Sequence, residues 1–179
     1  FTRSLLKYDL KPMPGIDCLF IKGSLIVLFF VDDIIAACPP NQMHLIHDFE
    51  AALAAEYDIK RLGDPQYFLG IRIIRDRENR SISLVQDAYI EKVATRFGLD
   101  NARETLSPMP VRDLPKNTSQ ASQSDILNYQ MKVGSIGFAA YITRADIAKA
   151  HSVLSEHLQN PSKDHIDAAN QCIRYLWTT

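Results

Sequence analysis

The sequence predicts an α+β fold: a β-sheet carrying a helix in the first half, followed by an all-helical second half. Three observations lead there. Residues 18–37 are dense in β-branched and aromatic residues, broken by a Gly23-Ser24 turn. Leu45, Ile46, Phe49, Leu53 and Tyr57 recur at helical spacing. Beyond Ser124 the chain carries long apolar periodicities and no strand pattern.

Taken in order, Cys18–Lys22 and Leu25–Phe30 form a hairpin, and Ile34–Ala37 adds another short strand. The run around Leu25–Phe30 is apolar on both faces, as in a strand buried mid-sheet. Pro39-Pro40 ends the sheet and Asn41 is a helix N-cap candidate. Leu62-Gly63-Asp64-Pro65 is a turn, Tyr67–Ile74 a strand, "RDRENR" its turn, and Ser81–Val85 the returning partner. Asp87 is placed to cap a helix bearing Ile90, Val93, Ala94 and Phe97, closed by Gly98. Asp100 to about Ser124, polar and with three prolines, is a loop or linker. Helices over Ile126–Ile142 and Ile147–Gln159 and one opening at Pro161 complete the chain.

Composition excludes several classes. With 179 residues, 46% hydrophobic and 23% charged, the chain has the makeup of a globular domain. No apolar run is long enough to span a bilayer, and no signal-peptide pattern is present. Cys18, Cys38 and Cys172 are scattered and odd in number, which suits reduced thiols in an intracellular protein. His44 and His47 lie one helical turn apart, as on a solvated helix face. The net charge of −1 makes the whole chain no obvious polyanion binder, although residues 72–96 are mildly basic.

The feature that stands out is a pair of carboxylates, Asp32-Asp33, inside "LIVLFFVDDIIAAC". Burying unpaired carboxylates is costly, so the pair must sit at an exposed turn or meet a cation. Adjacent carboxylates on a strand-to-strand turn suit the hard, oxygen-seeking Mg²⁺. A "DD" at a turn is also ordinary turn chemistry.

The context decides between them. "FFVDDIIAA" resembles the Tyr-x-Asp-Asp box of reverse transcriptases, specifically those of copia-type LTR retrotransposons. In the family's order there follow "IKRLGDPQYFLGIRI" (59–73), "ISLVQDAYIEKVATRFGL" (82–99), "YQMKVGSIGFAAYITRADIA" (129–148) and "PSKDHIDAANQCIRYLWTT" (161–179). The resemblance implies a partial reverse-transcriptase palm over 1–86, a thumb start and linker over 87–123, and a helical thumb/connection over 124–179. It implies an RNA-directed DNA polymerase using two Mg²⁺ ions, with Asp32 and Asp33 as the metal-binding catalytic pair. Phe30 stands in the place of the box tyrosine and Val31 at the variable position beside the primer. Lys60 matches a lysine at the end of the palm helix that acts on the leaving pyrophosphate. Tyr67, Phe68, Leu69 and Gly70 resemble the primer grip, and Lys92 and Arg96 would meet backbone phosphates.

Further implications are an RNA or DNA template-primer and dNTPs as partners, fingers and a first catalytic aspartate upstream, an RNase H domain downstream, and a cytoplasmic virus-like particle as location. With those parts missing, this piece alone is expected to be inactive and to bind nucleic acid weakly and salt-sensitively. The carboxylates are expected at a hairpin tip facing an open cleft, with Leu25–Phe30 buried behind. Departures from the pattern are Ala145 for proline and Trp177-Thr178 for Lys-Gly. They motivate the alternative, a catalytically dead remnant or weak nucleic-acid-binding module.

Overall fold

A computed structural model describes residues 1–179. It is α+β, with two antiparallel sheets and six α-helices, and divides into two compact units, Phe1–Phe68 and Leu69–Thr179.

The first unit is a four-stranded sheet in the order β1 (Lys11–Met13), β2 (Ile16–Lys22), β3 (Leu25–Phe30), β4 (Asp33–Ala37), with helices α1 (Thr2–Lys7) and α2 (His44–Ala54). The Gly23-Ser24 turn and the β2–β3 hairpin stand where the sequence predicts them. Alternation along β3 sends Leu25 and Val27 inward to join Leu5, Leu10, Phe20, Phe49 and Leu53 in the core. The opposite face is not buried. Ile26 and Phe30 stay 43% and 49% exposed, which corrects the expectation of a strand covered on both sides and of Leu25–Phe30 wholly buried.

Two further elements of this unit escaped the sequence reading: α1 and the short edge strand β1. Helix α1 is anchored by polar contacts. Ser4 Oγ donates to Glu56 (2.7 Å), Lys7 pairs with Glu56 (3.2 Å), and the Tyr8 hydroxyl donates to the Ala52 carbonyl (2.6 Å). Helix α2 begins at His44 after a 3₁₀ turn over Pro40–Gln42, so Asn41 caps nothing. It ends at Ala54, leaving Tyr57 to contact the Ser4 hydroxyl (2.7 Å) and the Phe1 ring instead of extending the helix.

Of the expected strand Tyr67–Ile74, only two short pieces form, β5 (Tyr67–Phe68) and β6 (Ile71–Asp76), because the backbone turns at Leu69-Gly70. In the second unit β6 pairs with β7 (Ser81–Val85), Arg75 opposite Ile82. Helix α3 (Asp87–Arg96) has Gln86, not Asp87, at its N-cap; Asp87 lies in the first turn and pairs with Arg72 (2.7 Å). Gly98, with φ of 66°, closes α3 as expected, the Leu99 N–H returning to the Ala94 carbonyl (2.8 Å).

Residues 100–122 contain neither helix nor strand, as expected. Helix α4 (Gln123–Ile142) starts earlier than its apolar periodicity suggests because Ser122 caps it through the Asp125 N–H. A 3₁₀ turn over Ala145–Ile147 precedes α5 (Ala148–Ser155), which stops short of Gln159. Ser162 then caps α6 (Lys163–Thr178).

These helices close a core of Tyr129, Val133, Ile136, Ile147, Leu154, Cys172 and Ile173. Burial pushes the Cys172 thiol up to about 12, which makes it inert. Two polar groups inside this core are paired. The Tyr129 hydroxyl donates to the Leu154 carbonyl (2.8 Å), and Lys132 donates to Asn170 Oδ1 (2.6 Å) with its ammonium over the Phe97 ring.

Candidate functional site

Strands β3 and β4 are paired to their very ends, Phe30 opposite Asp33, so Val31-Asp32 is a two-residue connection. The two carboxylates are therefore not equivalent: Asp32 belongs to the turn and Asp33 is the first residue of β4. Cross-strand partners share a face, so Asp33 stands beside Phe30 on the half-open apolar face with Leu28 and Ile26. Both aspartates are exposed. No hydrogen bond or ion pair holds either carboxylate.

A two-residue hairpin needs a positive φ at its first or at both central positions, because only such turns match the twist of the strands. Val31 supplies it, with φ of 54° and 79% of its surface exposed. For a β-branched residue that conformation is strained, typically by about 1 kcal/mol or more. The rigid ladder behind it holds the turn in place. Nothing in the residue type announces this; the single clue is that the register leaves only two residues to turn.

The Tyr67–Gly70 segment repeats the device. Leu69 and Gly70 have φ of 53° and 77°, the pairing of positive angles of a type I′ turn. Tyr67 is 62% and Leu69 46% exposed, Phe68 is half-buried, and a side chain on Gly70 would meet nothing within 4 Å. Gly70 thus serves its own backbone conformation.

Lys60 does not lie at a helix end. It follows α2 in an irregular, exposed stretch, next to Arg61, which pairs with Glu50 (2.6 Å). Lys92 and Arg96, four apart on α3, share one exposed face opposite buried Val93 and Ala94. Phe30, Val31, Asp32 and Asp33 are brought together on one hairpin of the first unit, whereas Lys92 and Arg96 belong to the second.

Chemically, two adjacent exposed carboxylates offer hard oxygen donors free of competing cations, a donor set suited to a divalent ion such as Mg²⁺. The set is partial, since nowhere in the chain do three or more His, Cys, Asp or Glu side chains gather as a metal site. No helix is long and apolar enough to cross a membrane.

The departures at the C-terminal end are taken up by the fold. Trp177 Nε1 donates to the Asp100 carbonyl (2.8 Å), and Thr178 Oγ1 to the Arg174 carbonyl (2.9 Å). Ala145 still opens a 3₁₀ turn, beside an Arg144–Asp146 pair bonded at 3.0 and 2.8 Å.

Comparison with known proteins shows the family. Residues 1–111 match the family described as reverse transcriptase (RNA-dependent DNA polymerase). The chain is 34% identical over 158 residues to a retrovirus-related Pol polyprotein from transposon TNT 1-94 of Nicotiana tabacum, a match covering 85% of this chain and 12% of that protein. It is 31% identical over 157 residues to a putative transposon Ty5-1 protein of Saccharomyces cerevisiae, covering 88% of this chain and 50% of the relative. The Pol polyprotein from transposon RE1 of Arabidopsis thaliana is 29% identical over 155 residues, 87% of this chain and 10% of its own length. No solved structure matches the chain. It thus spans half or less of these relatives, and by sequence it belongs to the reverse transcriptase family, as a domain of the copia-type retrotransposon Pol polyproteins.

Proposed function

We propose that this chain is the C-terminal part of the polymerase domain of a copia-type retrotransposon, with Asp32 and Asp33 as its share of a two-Mg²⁺ site for RNA- and DNA-templated DNA synthesis. The observation that carries the reading is the β3–β4 hairpin. It presents two carboxylates, unpaired and solvent-facing, at the end of a fully registered strand ladder. Family membership supports reading that geometry as a metal site.

In this reading residues 1–86 are a partial palm, 87–123 the thumb start and linker, and 124–179 the helical thumb/connection. Bound Mg²⁺ would lower the pKa of the primer hydroxyl and offset charge on the leaving pyrophosphate. The chain's own residues hold and orient. Asp32 and Asp33 offer oxygens from a stiff turn, and Phe30 and Val31 present apolar surface beside them for the primer end. The Tyr67-Phe68-Leu69-Gly70 turn would press on the primer backbone, Lys60 would donate a proton toward pyrophosphate, and Lys92 with Arg96 would neutralise backbone phosphates. A further carboxylate, fingers and an RNase H domain would come from other parts of the polyprotein, and dNTPs and a template-primer are the substrates.

The test is primer extension with Mg²⁺ by this chain joined to the upstream polyprotein segment. Extension is expected, and Asp32→Asn should abolish it while leaving thermal unfolding unchanged, since an amide is a neutral, poorer Mg²⁺ ligand of the same size. Equal extension by Asp32→Asn would overturn the assignment. The present chain by itself should give no extension.

A further inference from the structure

Away from that hairpin, the densest polar organisation lies where the segment after α3 crosses the helices of the second unit. Residues 101–121 have no helix or strand, yet side chains fasten them down. Asn160 accepts from the Ala121 N–H (2.8 Å) and donates to the carbonyls of Asn117 (3.2 Å) and Ser119 (2.9 Å). Asn117 donates to the Pro161 carbonyl (3.0 Å) and Gln171 to that of Ser107 (3.0 Å), while Met109 and Leu114 pack on the helical core.

His165 lies within this junction with none of its surface exposed. Its ring stacks on His157, centroids 3.7 Å apart and planes 12° from parallel. The Ser162 backbone N–H donates to His165 Nδ1 (2.8 Å), and Ser162 Oγ accepts from the His165 N–H, the reciprocal capping box of α6. Because Nδ1 accepts, the proton of the neutral ring is on Nε2. That atom is buried without a hydrogen bond; the Leu114 and Pro115 carbonyls lie near it without reaching bonding geometry.

A second proton on this ring must go to Nδ1. There it would meet the Ser162 N–H donor to donor, break the capping box and place a cation in a buried site against a second imidazole. Ser162 Oγ, 3.1 Å from Nδ1, could accept that proton's bond, and the Leu114 and Pro115 carbonyls favour the charged ring, but burial and His157 outweigh them. From α6, Asp164 favours the charged ring but is already bound to Arg112 of the crossing segment (2.8 Å). From α4, the Tyr129 ring stands 6.4 Å away with its hydroxyl donated to Leu154.

We propose that the His157–His165 stack is a proton-operated latch: with the His165 ring neutral it fastens residues 107–121 to the α5–α6 end of the helical unit, and protonation of His165 releases that segment. The direction follows from linkage. Burial, then His157, hold His165 below the ordinary imidazole range, so the latch is at full strength above about pH 6.5 and is lost as the pH falls through the lowered value.

The test is hydrogen exchange of the full chain, read as protection factors across residues 107–121 and above all at the Ala121 amide. For the wild type, protection should fall severalfold between about pH 7.5 and 5, the direction that a lowered imidazole pKa sets. His165→Gln keeps a capping-box side chain that does not titrate, so its protection should be independent of pH once intrinsic exchange is removed. The same fall in His165→Gln as in wild type, or no fall in wild type, overturns the proposal. His151 is also held low by burial, and only the His165 and His157 variants separate its titration from the latch. Should His165→Gln lose its helical circular dichroism, His157→Phe carries the test. It keeps a stacked ring without charge and should at least halve the pH response; an undiminished response overturns the pairing.

Discussion

The two units place their polar side chains differently. In the second, buried polar groups mostly find partners inside the core, Tyr129 at Leu154, Lys132 at Asn170 and Phe97, and Gln86 Oε1 at the Thr143 hydroxyl (2.7 Å), while Gln86 Nε2 and His165 Nε2 are left buried without one. In the first, the hairpin that the family resemblance singles out has two carboxylates with no partner, on a turn that costs energy to hold. A side chain that completes its bonding inside the fold is explained by the fold. One displayed without a partner on a strained, rigid support is available to something outside it.

Changes in the helical unit should therefore cost the most stability. Leu154→Ala removes a fully buried side chain and is expected to destabilise by about 2–5 kcal/mol in denaturant unfolding. A cost below about 1 kcal/mol would mean that this core is far looser than its burial indicates. Tyr129→Phe deletes one hydroxyl and takes one of two donors from the Leu154 carbonyl, which keeps the His157 N–H (3.2 Å), an expected loss of about 0.5–1.5 kcal/mol by the same measurement.

The hairpin should respond with the opposite sign. Val31→Gly relieves a positive φ that valine tolerates poorly, and stability should rise by about 1 kcal/mol, offset in part by the flexibility glycine adds to the unfolded chain. A clear loss would show that Val31 contributes packing which its 79% exposure does not suggest. The smallest stability effect is expected on α3. Lys92→Ala with Arg96→Ala should move unfolding by less than about 0.5 kcal/mol, yet reduce the salt slope of single-strand DNA binding by up to about two. An unchanged salt slope would remove these residues from the proposed phosphate contacts.

How much of this was legible beforehand depended on the range of the forces involved. The β2–β3–β4 run and helices α4 and α6 announce themselves through local periodicity and turn residues. Helix α1 does not, because six residues hold less than two turns of pattern and its stability comes from Glu56, Tyr57 and Ala52, some fifty positions away. Tyr57 continues the α2 spacing, yet pairs with Ser4 outside the helix. The turn at Leu69 was hidden because leucine carries no turn propensity; only Gly70 hinted at it. For the site, the residue types of Asp32-Asp33 and the motif order carry the proposed chemistry, but not that one aspartate is in the turn and the other in the strand. The capping box of α6 went unseen because histidine, rather than glutamate or glutamine, fills its third position.

Strand β4 stands at the margin of its sheet, with β3 on one side only, and from Ile34 to Ala37 it carries no charge. Its outer row of amide and carbonyl groups can template any extended segment that drifts past, and no lysine, proline or bulge guards it. Concentration becomes a variable in handling this chain. Above some threshold, copies are expected to add strand to strand at the edge that begins with Asp33, which turbidity recorded below the unfolding temperature would show. A lysine at exposed position Ala37 would be the mildest gatekeeper, placed at the far end of the strand from the aspartates.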